Sequence, residues 1–200
     1  LLDRVEDDRG NVLEVEYAAE NLAGVECGEC SESHRTMPHR KVAITNRYPK
    51  RIRYGNTTMG VTTLFPEEPG QTEARFEVVF DYGEHDDAAP TPEPASGVTW
   101  PVRQDPFSSY RAGFEIRTYR LCRRVLVFHR FAELGATPCL VSSVDFEYSE
   151  SPTVTLLQGV THRGYVRQPN GTYLSEAVPS LQLGYSLPTR TPKTLTFDRA

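Results

Sequence analysis

Five segments of the chain share one short pattern, in which an apolar residue stands two positions before a tyrosine. Ala, Gly or Ser follows the tyrosine each time, and the segments end at Tyr17, Tyr54, Tyr82, Tyr148 and Tyr185. In an extended strand, residues two apart lie on the same face, and a small residue lets the chain turn. Because the intervals are irregular, the pattern predicts a curved antiparallel sheet of hairpins with one shared inner surface, and not a solenoid. Any single tyrosine is also explained by its general preference for strands.

Turn-forming residues divide the chain into the strands of this sheet. Residues 1–18 predict a hairpin that turns at Asp8 to Asn11, and Pro169-Asn170-Gly171 marks a second hairpin. In the strand Val42 to Asn56, Lys50, Arg51 and Arg53 are expected on a solvated face, opposite Ile52 and Tyr54. The remaining predicted strands are 76–82, 139–148, 153–167, 172–177, 181–187 and one that begins at 194–197.

The stretch from Asp105 to Phe131 is the most densely patterned in the chain. Apolar residues alternate with charged ones up to Arg117, and the phase of the alternation then changes. This change predicts a bulge or a tight reversal near Thr118. Arg123 and Arg124 are adjacent, so a strand would point them to opposite faces. They cannot form one phosphate clamp, and the seven arginines between 103 and 130 are expected to pair with acidic residues.

Composition limits the function classes. The net charge is −5 and the pI is about 5.6, which argues against nucleic acid or an anionic membrane as the main partner. The longest aliphatic and aromatic run, Val125 to Phe128, is too short for a membrane span or a signal peptide. Only 38% of the residues are hydrophobic, and the first residue is Leu1. We therefore expect a segment of a longer polypeptide, whose missing neighbours complete the core.

A polar loop over residues 19–41 holds four potential zinc ligands, namely Cys27, Cys30, His34 and His39. All four lie within a short span and no second CxxC follows, whereas zinc sites usually pair two well-separated knuckles. An ordinary exposed loop is therefore favoured over a metal site. A thioredoxin-like motif is disfavoured because no βαβ pattern surrounds the pair. Cys122 and Cys139 lie in strand-like surroundings and are expected to be small buried hydrophobes.

A second group of chemically capable side chains follows the strand 76–82 and comprises Asp81, Glu84, His85, Asp86 and Asp87. Its spacing does not match a calcium-binding EF-hand loop. We favour an acidic loop that leads into a Pro-rich connector over residues 83–104. The sequence thus assigns no catalytic, cofactor-binding or metal-binding residue.

Three runs carry a family resemblance, namely Arg47 to Asn56, Phe76 to Asp87 and Asp105 to Arg124. They resemble, in the same order, the middle region of the B component of bacterial insecticidal toxin complexes. That region is shared with plasmid virulence protein relatives. The hairpin from Leu1 to Ala18 also looks like an RHS/YD-type repeat. The resemblance covers nearly the whole chain, except the loop from Ala19 to Arg40.

The resemblance implies a structural role. In such complexes the B and C components form a hollow β-sheet shell around a cytotoxic effector, and a β-propeller on the B component docks to the pore-forming A component. The chain is then expected to be one wall segment, without enzymatic activity or a cofactor. Its partners are the propeller and RHS repeats of its own polypeptide, the C component with its effector and, through the propeller, the A component. The implied location is secreted or extracellular, with cell-surface association as a variant.

Two other function classes stay open at this point. One is an enzyme segment, either associated with ADP-ribosyltransferase activity or metal-dependent, although Glu14-Val-Glu16 lies on a hairpin face and no Gly-rich phosphate loop is present. The other is a glycan-binding β module that uses Trp100 and exposed tyrosines.

Overall fold

The computed structural model describes residues 1–26, 28, 32, 44–57 and 73–186. Within these residues the regular secondary structure is mostly strand, and a three-residue 3-10 turn lies at Ala132–Leu134. The strands are β1 (Arg4–Glu6), β2 (Val12–Ala19), β3 (Arg47–Asn56), β4 (Ala74–Asp81), β5 (Phe107–Ser109), β6 (Ile116–Thr118), β7 (Arg124–His129), β8 (Cys139–Ser149), β9 (Leu156–Arg167), β10 (Tyr173–Ala177) and β11 (Leu181–Gln182).

Nine of these strands form one antiparallel sheet. Its order is β1-β2-β3-β4-β7-β8-β9-β10, and β11 pairs with β9 beyond the end of β10. Neighbouring strands follow one another in the chain except between β4 and β7, where residues 82–123 leave the sheet. That excursion contains the small β5–β6 hairpin, which is a separate two-stranded sheet. The predicted mainly β, antiparallel hairpin sheet is confirmed.

The register divides the side chains of the large sheet into two faces. We call one the apolar face; its residues include Leu13, Val15, Ile52, Tyr54, Phe76, Val78, Phe80, Val125, Val127, Val144, Phe146, Val160, Val166 and Leu174. We call the other the charged face; it carries Glu14, Glu16, Arg51, Arg53, Glu77, Asp81, Arg124, Asp145, Arg163 and Arg167. The expectation that apolar residues and strand-end tyrosines share a face holds for Tyr54 and Tyr148.

The fully buried core nevertheless lies on the charged face. Val79, Leu126, Phe128 and Leu140 have no exposed surface, and Tyr165 and Tyr173 pack against them. The Tyr173 hydroxyl accepts a hydrogen bond from the backbone N–H of Leu140, two strands away. Side chains from the outer strands β9 and β10 therefore pack over this face.

The predicted exposure of the β3 arginine and lysine side chains is wrong. Lys50 and Arg51 are 8% and 7% exposed, whereas Tyr54 on the apolar face is 37% exposed. Arg51 lies on the opposite face from Ile52, as expected, but the connector lies over that face. Lys50 reaches the same face through a β-bulge, because Glu16 pairs with Arg51 while Tyr17 pairs with Pro49, which leaves Lys50 as an extra residue. At a bulge two residues of one strand oppose a single residue of its partner, so alternation no longer separates them. Both basic side chains reach the connector instead of solvent.

One further sequence expectation needs correction. No bulge or tight reversal occurs at Thr118, because Tyr119 to Arg123 form an irregular segment between β6 and β7. Gly55-Asn56 is part of β3, and the Asn56 side chain accepts a hydrogen bond from Val12 and donates one to the carbonyl of Gly10. The two predicted hairpins are confirmed, with positive φ at Gly10 and Gly171. The expected strand at 194–197 lies outside the described residues.

The position of the core makes a direct prediction about stability. Leu126→Ala should lower the free energy of unfolding by about 2–5 kcal/mol, because it leaves a cavity among fully buried side chains. Leu174→Ala removes the same atoms from a side chain that is 60% exposed on the apolar face, and should cost well under about 1 kcal/mol. Urea unfolding followed by tryptophan fluorescence measures both, and equal losses would contradict the placement of the core.

Candidate functional site

The connector after β4 is held to the sheet by a buried cluster of charged side chains, which we call the connector cluster. It consists of Lys50, Asp81, Glu84, His85 and Arg124. The Lys50 ammonium contacts the Glu84 carboxylate, donates to the Phe80 carbonyl at 3.0 Å and lies 2.8 Å from His85 Nε2. Three strands thus contribute to one cluster under the connector.

Asp81 closes the turn at the start of the connector. Its Oδ1 accepts hydrogen bonds from the backbone N–H groups of Gly83 at 2.8 Å and Glu84 at 3.1 Å, and its Oδ2 binds the Arg124 guanidinium. Burial alone would raise the pKa of Asp81, but the Gly83 N–H and Arg124 outweigh it, so its pKa lies below the usual value. The carboxylate is therefore charged at neutral pH, and it fixes both the turn and β7.

His85 is neutral in this arrangement. Burial lowers the pKa of His85, and the ammonium of Lys50 lowers it further against the opposing carboxylates of Asp81 and Glu84. Its Nδ1 lies 2.9 Å from the carbonyl oxygen of Thr91, which can only accept a hydrogen bond. Nδ1 therefore carries the proton, and Nε2 accepts one from Lys50.

Asp81, Glu84 and His85 are close enough to bind a metal ion, since one potential ligand atom from each lies within 4.8 Å of the others. The cation among them is the ammonium of Lys50, which contacts both Glu84 and His85. A divalent ion would have to displace this ammonium into a buried environment without its carboxylate partner, which is costly. The geometry fits a structural ion network that uses lysine as its cation.

A second buried network ties the chain before β3 to the segment after β6. Glu20 and Arg120 form an ion pair in which both side chains are 1% exposed, with an Nη2–Oε1 distance of 2.6 Å. Arg120 also donates to the carbonyls of Trp100 and Ala23, and Tyr48 donates to Glu20. Burial raises the pKa of Tyr48 to about 12, and the Glu20 charge adds to the effect.

The arginines of the 103–130 stretch pair with carboxylates, as the sequence predicted. Six of the seven are in ion pairs, namely Arg103–Asp105, Arg117–Glu32, Arg120–Glu20, Arg123–Glu150, Arg124–Asp81 and Arg130–Glu77. Arg123 and Arg124 reach different partners, in line with their opposite directions. These partners come from many parts of the chain, so the ion pairs of this stretch connect segments that are distant in sequence.

A groove on the charged face has a volume of about 440 Å³. Arg51, Arg53 and Arg130 surround the buried carboxylate of Glu77 on its floor. The Arg51–Glu77 pair is 3.0 Å apart, although its atoms are too poorly aligned for a hydrogen bond. Arg51 is also paired with Glu93 and with the carbonyl of Pro92. The groove is thus lined by charges that already neutralise one another.

The other sequence candidates do not converge on a site in the described residues. Cys27, Cys30, His34 and His39 lie outside those residues. Trp100 is half-buried and stacks on Tyr82 with ring centroids 4.3 Å apart, so one face of the indole is already used. Cys122 is mostly shielded, and burial raises the pKa of its thiol to about 12. In the described part of the chain, no helix is long and apolar enough to cross a membrane.

Sequence reasoning missed the burial of the connector cluster and of the Glu20–Arg120 pair. It placed Asp81, Glu84 and His85 in an acidic loop, and only Asp86 and Asp87 are exposed there. The one sequence signal for these buried carboxylates was the excess of arginine between residues 103 and 130, because those arginines need carboxylate partners. Nothing in the local pattern around Glu20 or Lys50 indicated that they would be among them.

The family model described as SpvB, Salmonella virulence plasmid 65kDa B protein, matches residues 1–131. The mono(ADP-ribosyl)transferase SpvB of Salmonella typhimurium (strain 14028s / SGSC 2262) is 44% identical over 114 residues, which are 56% of this chain and 19% of that protein. The chain therefore spans about a fifth of that relative.

Two solved structures extend the match to the fold. The crystal structure of TcdB2-TccC3-Cdc42 has a TM-score of 0.71 and 33% identity, over 92% of this chain and 9% of that one. The N-terminal domain of the effector SpvB from Salmonella typhimurium strain LT2 has a TM-score of 0.63 and 34% identity, over 83% of this chain and 51% of that one. Both identities are high enough for the likeness to extend beyond the fold to common ancestry.

The buried Glu20–Arg120 pair should be far more important for stability than a partly exposed pair. Arg120→Met should lower the free energy of unfolding by about 3–5 kcal/mol, because it leaves the Glu20 carboxylate buried without its cation. Arg163→Met is the matched control; its pair with Asp145 is 42% and 24% exposed and should cost about 0–1 kcal/mol. Chemical denaturation at neutral pH measures both, and similar losses would contradict the structural role assigned to Arg120.

His85 makes the stability depend on pH in a defined direction. Its pKa in the folded chain lies below the ordinary value of 6.5, so below that pH the unfolded chain binds a proton that the folded chain does not. The free energy of unfolding should be insensitive to His85 above pH 6.5 and should fall as the pH drops below it.

The variant His85→Gln lacks this titration, and urea unfolding at a series of pH values should show a shallower loss for it just below pH 6.5. The paired carboxylate of Asp81 has a lowered pKa and contributes only at more acidic pH, in both proteins. Parallel pH profiles for the two proteins would show that His85 is not held neutral.

Proposed function

Because the chain belongs to the SpvB family, Salmonella virulence plasmid 65kDa B protein, we propose that it is a non-catalytic wall segment of a toxin-complex B component. In this role it forms part of a β-sheet shell that encloses a cytotoxic effector and helps to deliver it. The module occurs both in SpvB proteins and in structures that contain TcdB2 and TccC3.

The observation that carries this proposal is the sheet itself, a nine-stranded layer that ends in β1 on one side and β10 on the other. An edge strand presents a row of backbone N–H and C=O groups that can pair with a further strand. A wall segment uses such edges to join its neighbours, which satisfies the backbone groups and prevents aggregation. The match to 92% of this chain within a TcdB2-TccC3-Cdc42 structure supports the same role.

The charged side chains favour a structural role over catalysis. In the described residues, the buried charges of the connector cluster and of the Glu20–Arg120 network are engaged with one another and with backbone carbonyls. An active site instead needs groups that are held ready for a substrate. We therefore assign the transferase activity in the name of the SpvB relatives to parts of those proteins outside this segment.

The partners follow from the proposed role. They are the propeller and RHS repeats of the same polypeptide, the toxin C component with its effector and, through the propeller, the pore-forming A component. The proposed location is secreted or extracellular. In this scheme the predicted organisation also applies, with residues 1–200 as one structural segment and 83–104 as a connector.

The edge role can be tested with proline substitutions at two adjacent positions of β10, Leu174→Pro and Ser175→Pro. In an antiparallel edge strand alternate residues point their N–H groups outward, so one of the two prolines removes an outward donor and the other breaks the pairing with β9. The variant that removes the outward N–H should leave the urea midpoint of the isolated chain nearly unchanged, because its pairing with β9 is intact. In the full-length polypeptide assembled with the C component, it should expose the effector to added protease.

Normal protection of the effector by both variants would overturn the edge role. A second measurement addresses catalysis, because incubation of the isolated chain with NAD should give no nicotinamide release above a buffer blank. Turnover of NAD by the chain would overturn the non-catalytic assignment.

A further inference from the structure

One side of the sheet is open, and it is the side with the more hydrophobic composition. Every Asp, Glu and Arg at a paired position of the central strands lies on the charged face. These strands are β4, β7, β8 and β9, together with residues 12–16 of β2 and 51–56 of β3, which lie on one side of their bulge. The apolar face carries rows such as Ile52–Val78–Val127, which run across three adjacent strands. Histidine is the only ionisable side chain other than tyrosine and cysteine on this face in those strands, and at the edge of the sheet Glu176 of β10 also lies on it.

The described residues cover the two faces very differently. On the charged face, Val79 and Leu126 have no exposed surface, and Tyr165 and Tyr173 of the outer strands pack against their cluster. On the apolar face, the neighbours of those two residues, Val78 and Val127, are only partly buried. Toward the strand ends the exposure rises, to 63% at Val166 and 60% at Leu174. Apolar side chains that stay accessible in contiguous rows mark a contact surface.

We propose that the apolar face is a docking surface for a second β-sheet supplied by the same full-length polypeptide. Two sheets pack face to face about 10 Å apart, and residues of alternate positions fill the space between them. The partner face must be free of charge, because the apolar face offers no counter-ion along its central rows and a buried unpaired charge is costly. An alternating apolar strand layer meets both conditions.

The matched relatives indicate where that layer comes from. The structure of the SpvB N-terminal domain is matched over 83% of this chain but only 51% of its own length, so about half of that folded domain lies beyond the match. A single folded domain keeps such a half in contact with the rest through a shared core. This inference concerns packing on the face of the sheet and holds whether or not the sheet edges join a shell.

The test places a thiol on the apolar face and measures its accessibility. Val127→Cys is similar in size to the original residue and keeps the fold, and Ala132→Cys in the exposed 3-10 turn is the matched control. Alkylation is followed at each site by mass spectrometry, which separates the new thiol from the native cysteines. In the full-length protein, Cys at 127 should react more slowly than Cys at 132 by on the order of tenfold or more, because labelling then needs local opening. In the 200-residue chain the two should react at similar rates.

Each other outcome overturns the proposal in a distinct way. Fast labelling of position 127 in both proteins would show that the face stays open. Slow labelling in the 200-residue chain at every concentration would show that the chain covers the face by itself. Protection that appears only as the chain concentration rises would assign the face to a second copy, and protection that requires added phosphatidylcholine vesicles would assign it to a lipid surface. The NAD and proline experiments can fail independently of this one.

Discussion

The fold depends on the pairing of buried charges on one face of the sheet. A buried arginine or lysine is tolerated only when a carboxylate and backbone carbonyls satisfy it, and the chain supplies both for Lys50, Arg120 and Arg124. These pairs hold the connector and the segment before β3 in place, next to the stacked rings of Tyr82 and Trp100. Each buried ion pair therefore fixes one segment against one particular partner, because a buried charge needs its counter-ion whereas an apolar side chain can pack against many neighbours.

The sequence predicts the strands well, because alternation and turn residues are local properties. The hairpins that turn at Gly10 and Gly171 and the pairing of arginines with carboxylates were all visible in it. The burial of Lys50 and Arg51 was not visible, because it depends on the connector that lies over the charged face and, for Lys50, on a bulge that only the pairing with β2 reveals. The depth of Glu84 and His85 was missed for a related reason, since it is set by how the connector folds back onto the sheet.

The composition and the structure both indicate that the hydrophobic core of this chain is incomplete, and the two faces of the sheet show why. The low hydrophobic content suggested that neighbouring segments are needed, and the described residues bury a small cluster on one side only. Leu126 and Phe128 lie in that cluster, while Val127 between them points to the open side. Strand β7 thus contributes to a buried core on one face of the sheet and to an accessible apolar surface on the other.

The excursion between β4 and β7 has a consequence for the order of folding. Strands β1 to β4 pair in chain order, and so do β7 to β10; the longest connection inside either run is residues 20–46, between β2 and β3. The ladder between β4 and β7 must instead close a loop of residues 82–123, at an entropic cost that local pairing does not carry. Long-range closure of this kind slows folding, so the seam between the two halves should be the last part of the sheet to form.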